Sequence, residues 1–193
     1  MKITLIGPGI MPIPPTGWGA CEILIWDTKL ALEKLGHDVQ IVNTKDGRQI
    51  ISEINAFRPD FVHVHYDEFI PIVPFIQYPN AITSHFGYLE RREMFNGYIN
   101  VANEFMRIKP NIFCLSQGIQ KVYNVMFDIP RDQTWITPNG VNTESFEYVD
   151  DPTYPDRSLY LAKIDYRKRQ HLFQSIDSLW FAGNLADDRF NTK

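Results

Sequence analysis

Short apolar runs recur along this chain, each followed by a stretch of helical period, and that alternation is the pattern of βαβ units wound into a parallel sheet. The predicted strands run from Lys2 to Ile6, Val39 to Val42, Phe61 to His65, Ala81 to Ser84, Ile112 to Leu115 and Thr134 to Thr137. Ile23, Trp26, Leu30, Ala31 and Leu35 supply the apolar stripe of a first helix, which Gly36 closes as a C-cap. Further helices are expected over Gln49 to Phe57, Arg91 to Arg107 and Gln117 to Phe127. The fold class is therefore α/β, a Rossmann-like parallel sheet flanked by helices, with the strand order left open by the pattern.

Residues 1–150 read as one domain, and residues 151–157, with Asp151, Pro152, Pro155 and Asp156, read as an acidic, proline-rich linker. A new unit over 158–193 offers a strand from Ser158 to Leu161, a helix from Arg167 to Ile176 and a strand from Leu179 to Ala182. A lone βαβ cannot bury both faces of its sheet. Leu159, Leu161, Leu172, Phe173, Ile176, Trp180 and Phe181 thus call for a partner surface, and the unit reads as the truncated start of a second domain.

The net charge of −4 gives no electrostatic reason to bind nucleic acid or an anionic membrane in bulk. Two cysteines, Cys21 and Cys114, make no disulfide framework and no metal pair, which points to the cytoplasm. The start, Met1 to Gly9, lacks the apolar run of a signal peptide, and no run is long enough to span a membrane.

Four segments carry polar chemistry. The loop Pro14-Pro15-Thr16-Gly17-Trp18-Gly19-Ala20-Cys21-Glu22 joins the first strand to the first helix, where doubly wound sheets place ligands and where small residues let a backbone approach an anion. It is neither a P-loop, since no Gly-Lys-Ser/Thr follows, nor a dinucleotide fingerprint, since Pro12 stands where a third glycine is needed. His63 and His65 share one strand face, which suggests a metal pair without an obvious third ligand or, more simply, two hydrogen-bonded histidines. With Tyr66, Asp67 and Glu68 they end a strand that would line a cleft, and His85 follows the next strand, where an imidazole exchanges protons near neutral pH. Lys163, Arg167, Lys168 and Arg169 cluster at an expected strand-to-helix junction, an arrangement suited to a diphosphate or simply to solvent.

Taken in order, these segments resemble the family 4 retaining glycosyltransferases of the GT-B fold over nearly the whole chain. The glycine loop with Glu22 is similar to that family's Pro-Pro-x-x-Tyr-Gly-Gly-x-Glu, Leu35-Gly36-His37-Asp38-Val39 to its Gly-His-Glu-Val, and Pro59-Asp60-Phe61-Val62-His63-Val64-His65 to its Pro-Asp-Val-Val-His-x-His. Thr83-Ser84-His85-Phe86-Gly87 resembles its Thr-x-His-Gly, and Leu115-Ser116 its Val-Ser before a helix. The most specific likeness is Ile136-Thr137-Pro138-Asn139-Gly140-Val141-Asn142 with Phe146, which matches the family's Ile-Pro-Asn-Gly-Val-Asp-x-x-x-Phe closely. Beyond the linker, Tyr160-Leu161-Ala162-Lys163-Ile164 with Lys168 looks like its Gly-Arg-Leu and following Lys, and Phe181-Ala182-Gly183 like the next strand.

The resemblance implies transfer of a sugar from a nucleotide sugar to an acceptor hydroxyl, with retention and without an obligatory metal or cofactor. It places Gly19 and Ala20 against the donor diphosphate, Lys163 and Lys168 on the charge of the leaving group, and His85 at the reacting sugar as a positioning residue. Trp18, His65, Tyr66, Glu68 and Asn139 become candidates for the acceptor side of the cleft. Ala20 and Lys163 depart from the usual Gly and Arg, and the family's paired glutamates have no counterpart here. The expected function is a hexosyltransferase-type enzyme acting on a saccharide or lipid acceptor, inactive alone. The rival readings are a non-catalytic acceptor-binding or assembly module that self-associates or docks a separate donor-domain chain, and an unrelated nucleotide-dependent α/β enzyme.

Overall fold

In the computed structural model, which describes residues 1–17, 19–85, 98–145 and 148–191, the apolar runs of the first 142 residues form six parallel strands. They are β1 (Lys2–Ile6), β2 (Asp38–Val42), β3 (Phe61–Val64), β4 (Asn80–Ile82), β5 (Ile112–Cys114) and β6 (Thr134–Ile136), ordered β2-β1-β3-β4-β5-β6. The helices are α1 (Ala20–Lys34), α2 (Gly47–Phe57), α3 (Tyr98–Ile108) and α4 (Gln117–Met126). The fold is thus Rossmann-like α/β. The earlier part of the helix expected from Arg91 lies outside the described residues, as do Trp18 and Phe146.

Strand alternation sorts the sheet's side chains onto two unequal faces. Ile6, Val62, Val64, Ile82, Ile112 and Cys114 point into the larger core, where they meet Ile50 and Ile54 of α2, Ala102 and Phe105 of α3 and Tyr123 of α4. Ile3, Leu5 and Val39 point the other way, onto Ile25 of α1. Connection handedness explains the imbalance. The steps from β2 past β1 to β3 and on to β6 all run in one direction and put α2, α3 and α4 on one side, whereas the single step from β1 back to β2 puts α1 on the other.

Three expectations need correction. In α1 the stripe of Ile23, Leu30 and Leu35 is exposed, while Glu22 and Ile25 are buried and Cys21 and Leu32 pack beside them. The helix is apolar on more than one side, so spacing alone allowed two solutions. Gly36 does close it, with φ 84° and its N–H on the Glu33 carbonyl at 2.9 Å. Second, Asp67 and Glu68, expected at a strand end, instead open a 3-10 helix over Asp67–Phe75. Pro71 and Pro74 remove the donors that an α-helix needs, yet Phe69, Ile70 and Val73 are still buried.

The third lies in the second compact unit, Thr143–Lys193, which is separate from the first, Met1–Asn142. β7 (Ser158–Leu161) and β8 (Leu179–Ala182) pair in parallel as expected, but no α-helix joins them; residues Gln170–Phe173 form one 3-10 turn. The Asp165 carboxylate accepts the N–H groups of Arg167 at 3.0 Å and Lys168 at 3.2 Å, and Arg169 turns left-handed at φ 56°, so the chain curls before a helix can start. The pairing holds one offset of 21 residues from Ser158 opposite Leu179 to Ile164 opposite Leu185. Asp187 repeats the Asp165 arrangement, taking the backbone and guanidinium of Arg189. Gly183 is obligatory between the two coils, because a Cβ there would lie 2.0 Å from the Ala162 carbonyl oxygen. Leu159, Leu161 and Trp180 remain exposed on one face of this pair.

Candidate functional site

The strand order changes direction between β1 and β3, and the carboxyl ends of those strands are where doubly wound sheets hold ligands. Asn43, just past β2, shapes the loop that leaves β1. Its Oδ1 accepts the Gly9 N–H at 2.8 Å and its Nδ2 donates to the Met11 carbonyl at 2.8 Å. Gly9 has φ 65°, and a Cβ there would lie 2.5 Å from the Thr44 backbone, so only glycine fits. The loop delivers Gly19 at φ 143° to the start of α1, where a Cβ would sit 2.9 Å from the Glu22 carboxylate. Gly19 makes no side-chain cap. The first intrahelical bond runs from the Ile23 N–H to the Gly19 carbonyl at 2.9 Å, which leaves the N–H groups of residues 20–22 as the open end of a 15-residue helix. Ala20 is exposed there, and Glu22 is buried in the same turn.

Across from this end lie three histidines. His63 and His65 share the β3 face that α1 overlies, with ring centroids 3.7 Å apart, and His63 Nε2 bonds the Thr83 hydroxyl at 2.7 Å. His65 Nδ1 lies 3.2 Å from His85 Nε2. The two ring planes differ by only 5° with centroids 5.4 Å apart, which is the geometry of rings joined edge to edge through that bond. Burial holds all three neutral. It presses His63 down to about 3, helped by His85, and His85 to about 4; His65 falls well below the ordinary range through burial, His63 and His85. His85 is therefore an uncharged hydrogen-bonding group at neutral pH, not the near-neutral proton exchanger its position in the sequence suggested. His65 Nε2 and His85 Nδ1 are buried without a partner among the described residues.

Behind the histidines, the buried Asp67 accepts from the Ser84 hydroxyl at 2.7 Å and so ties the start of the 3-10 helix to the end of β4. Burial raises the Asp67 pKa against the effect of that bond. Asp67 is expected from sequence at a strand end lining a cleft, but its pairing with Ser84 is not; the available signal is two polar side chains just past neighbouring strand ends. Cys21 donates weakly to the His65 carbonyl, Sγ to O 3.6 Å, and its thiol is pushed up to about 12 by burial, Glu22 and Asp67, which leaves it unreactive.

His63, His65 and His85 border a groove of about 330 Å³ on the α1 side of the sheet, together with Leu24, Thr28 and Leu32 of α1, Phe61, Phe113 and residues 137–140. Asn139 thus joins the histidines. Tyr66 packs edge-on against Phe69, centroids 5.3 Å apart, beside the larger core instead, and Glu68 is exposed outside the groove. Trp18 lies outside the described residues. In the second unit Lys163 and Lys168 are both exposed, but the helix N-terminus expected beside them is missing, and the Asp165 carboxylate occupies the turn's N–H groups. Among the described residues no group of three His, Cys, Asp or Glu side chains is arranged to hold a metal ion, and no helix is long and apolar enough to cross a membrane. The chain matches no protein-family model and no curated protein.

Proposed function

We propose that this chain takes part in transfer of a sugar from a nucleotide sugar to an acceptor hydroxyl, with its first unit forming the acceptor-side half of the cleft. The observation that carries the reading is the uncapped N-terminus of α1 behind Gly19, set at the strand-order switch beside a neutral pair of histidines. Such an end attracts a diphosphate through its free N–H groups and dipole. Neutral imidazoles suit sugar hydroxyls and hold no charge that would compete for the phosphates. A resident metal has no part in this reading.

The test uses the diphosphates of uridine, guanosine and adenosine as probes, titrated calorimetrically against the chain and its Ala20→Asp variant. Ala20 is exposed at the first helical position, where aspartate favours the helix but repels phosphate. At least one nucleotide is expected to bind, and Ala20→Asp to weaken it tenfold or more without loss of helix. Indifference to the substitution, or no binding by any of the three, overturns the assignment.

The exposed Leu159, Leu161 and Trp180 favour a second reading, a module that docks a separate donor-domain chain. Sedimentation that gave a monomer at all concentrations, with no complex on adding a donor-domain chain, would count against it.

A further inference from the structure

We propose that the His65–His85 pair and the groove beside it form a binding site for an uncharged, hydroxyl-bearing apolar molecule, an alcohol or phenol, whose hydroxyl meets the two imidazoles while its apolar body lies against Leu24, Leu32, Phe61 and Phe113. Two neutral imidazoles carry two N–H protons on four nitrogens. The 3.2 Å bond between His65 Nδ1 and His85 Nε2 uses one proton and one lone pair. Whichever ring donates, the remaining nitrogens, His65 Nε2 and His85 Nδ1, are then one donor and one acceptor. Both are buried and unpartnered among the described residues, and both rings border the groove.

A buried donor and acceptor left unpaired cost free energy that a ligand recovers by satisfying them. A hydroxyl group is both donor and acceptor, so it satisfies either ring in either tautomer. A carboxylate or sulfonate only accepts and finds no cation among the described residues that line the groove, and an ether only accepts. The rest of the groove selects for the body. Phe61 and Phe113 line it and stack with centroids 5.9 Å apart, an aromatic floor that Trp135 extends by meeting Phe113 edge-on at 6.1 Å. A ligand with a flat or aliphatic body buries that floor. As an acceptor site it rests on the transferase reading; as a binding site it does not.

The experiment titrates the chain with 2-naphthol, 2-methoxynaphthalene and naphthalene-2-sulfonate in the absence of any nucleotide, read by naphthyl fluorescence and by imidazole nitrogen NMR. The expected result is saturable 2-naphthol binding, with the ether and the sulfonate each at least fivefold weaker, and a shift of the His65 and His85 ring nitrogens toward one fixed tautomer. His85→Phe removes the nitrogens while keeping a ring, and is expected to erase the preference for naphthol over its ether. Thr28→Phe, on the half-buried face of α1, fills the groove and is expected to abolish binding with the circular dichroism unchanged. Equal affinity for the three compounds, no saturable naphthol binding, or binding untouched by Thr28→Phe overturns the proposal. Nucleoside diphosphate binding would be unaffected by such a failure, and naphthol binding by failure of the diphosphates, so the two readings fall separately.

Discussion

At the scale of single residues, the buried histidines make stability depend on pH with a definite sign. In the unfolded chain an imidazole titrates near 6.5, but folding lowers His63 to about 3 and His85 to about 4. Between those limits the unfolded state binds more protons, so unfolding becomes easier as pH falls below about 6.5, by on the order of 1 kcal/mol per pH unit for each histidine. Above that range the contribution is complete. Asp67 works in the opposite sense, since its raised pKa favours the fold while the carboxyl stays protonated, a benefit lost as pH rises through its folded value. Urea midpoints measured at about pH 7.5, 6 and 5 are expected to fall steadily, and His85→Phe to flatten the slope. A midpoint unchanged across this range would show that the histidines are solvated. Sequence alone placed His63, His65 and His85 at strand ends but could not supply their protonation, because that depends on which side chains from other elements exclude water.

Among the elements, α2 shows how local signals suffice and α1 shows where they do not. Asp46 caps α2 by accepting from Arg48 N at 2.8 Å and Gln49 N at 3.3 Å, while Ile50 and Ile54 point inward on one stripe. The helix was legible from its spacing, and Asp46→Ala is expected to cost about 1 kcal/mol in urea unfolding. A change within a few tenths of wild type would mean the cap is idle. The stripe of α1 was misread because Ile23 and Leu30 compete with Ile25 and Leu32, and only the docked sheet decides between them. The curl at Asp165 was hidden for a related reason. A run of cations looks like a helix start until one aspartate takes the backbone donors. Six strands were read correctly to within about two residues at each end. Their order stays open at the level of sequence, since it is fixed by long-range pairing and crossover handedness rather than by any local pattern.

For the whole molecule, the unequal covering of the sheet separates two kinds of tolerance. Val64 is fully buried in the larger core, and Val64→Ala is expected to lower stability by about 1 to 3 kcal/mol. Phe113, half-buried on the other face of the sheet, packs against the rings of Phe61, His63 and Trp135 and borders the open groove, so Phe113→Leu is expected to cost under about 1.5 kcal/mol while altering what the groove accepts. Paired unfolding curves for the two variants check the contrast, and an equal loss from both would remove it. Because neighbouring residues along each strand serve opposite faces, a lineage built on this sheet can rewrite its ligand preference at every second position and leave the alternate positions, which keep the chain folded, untouched.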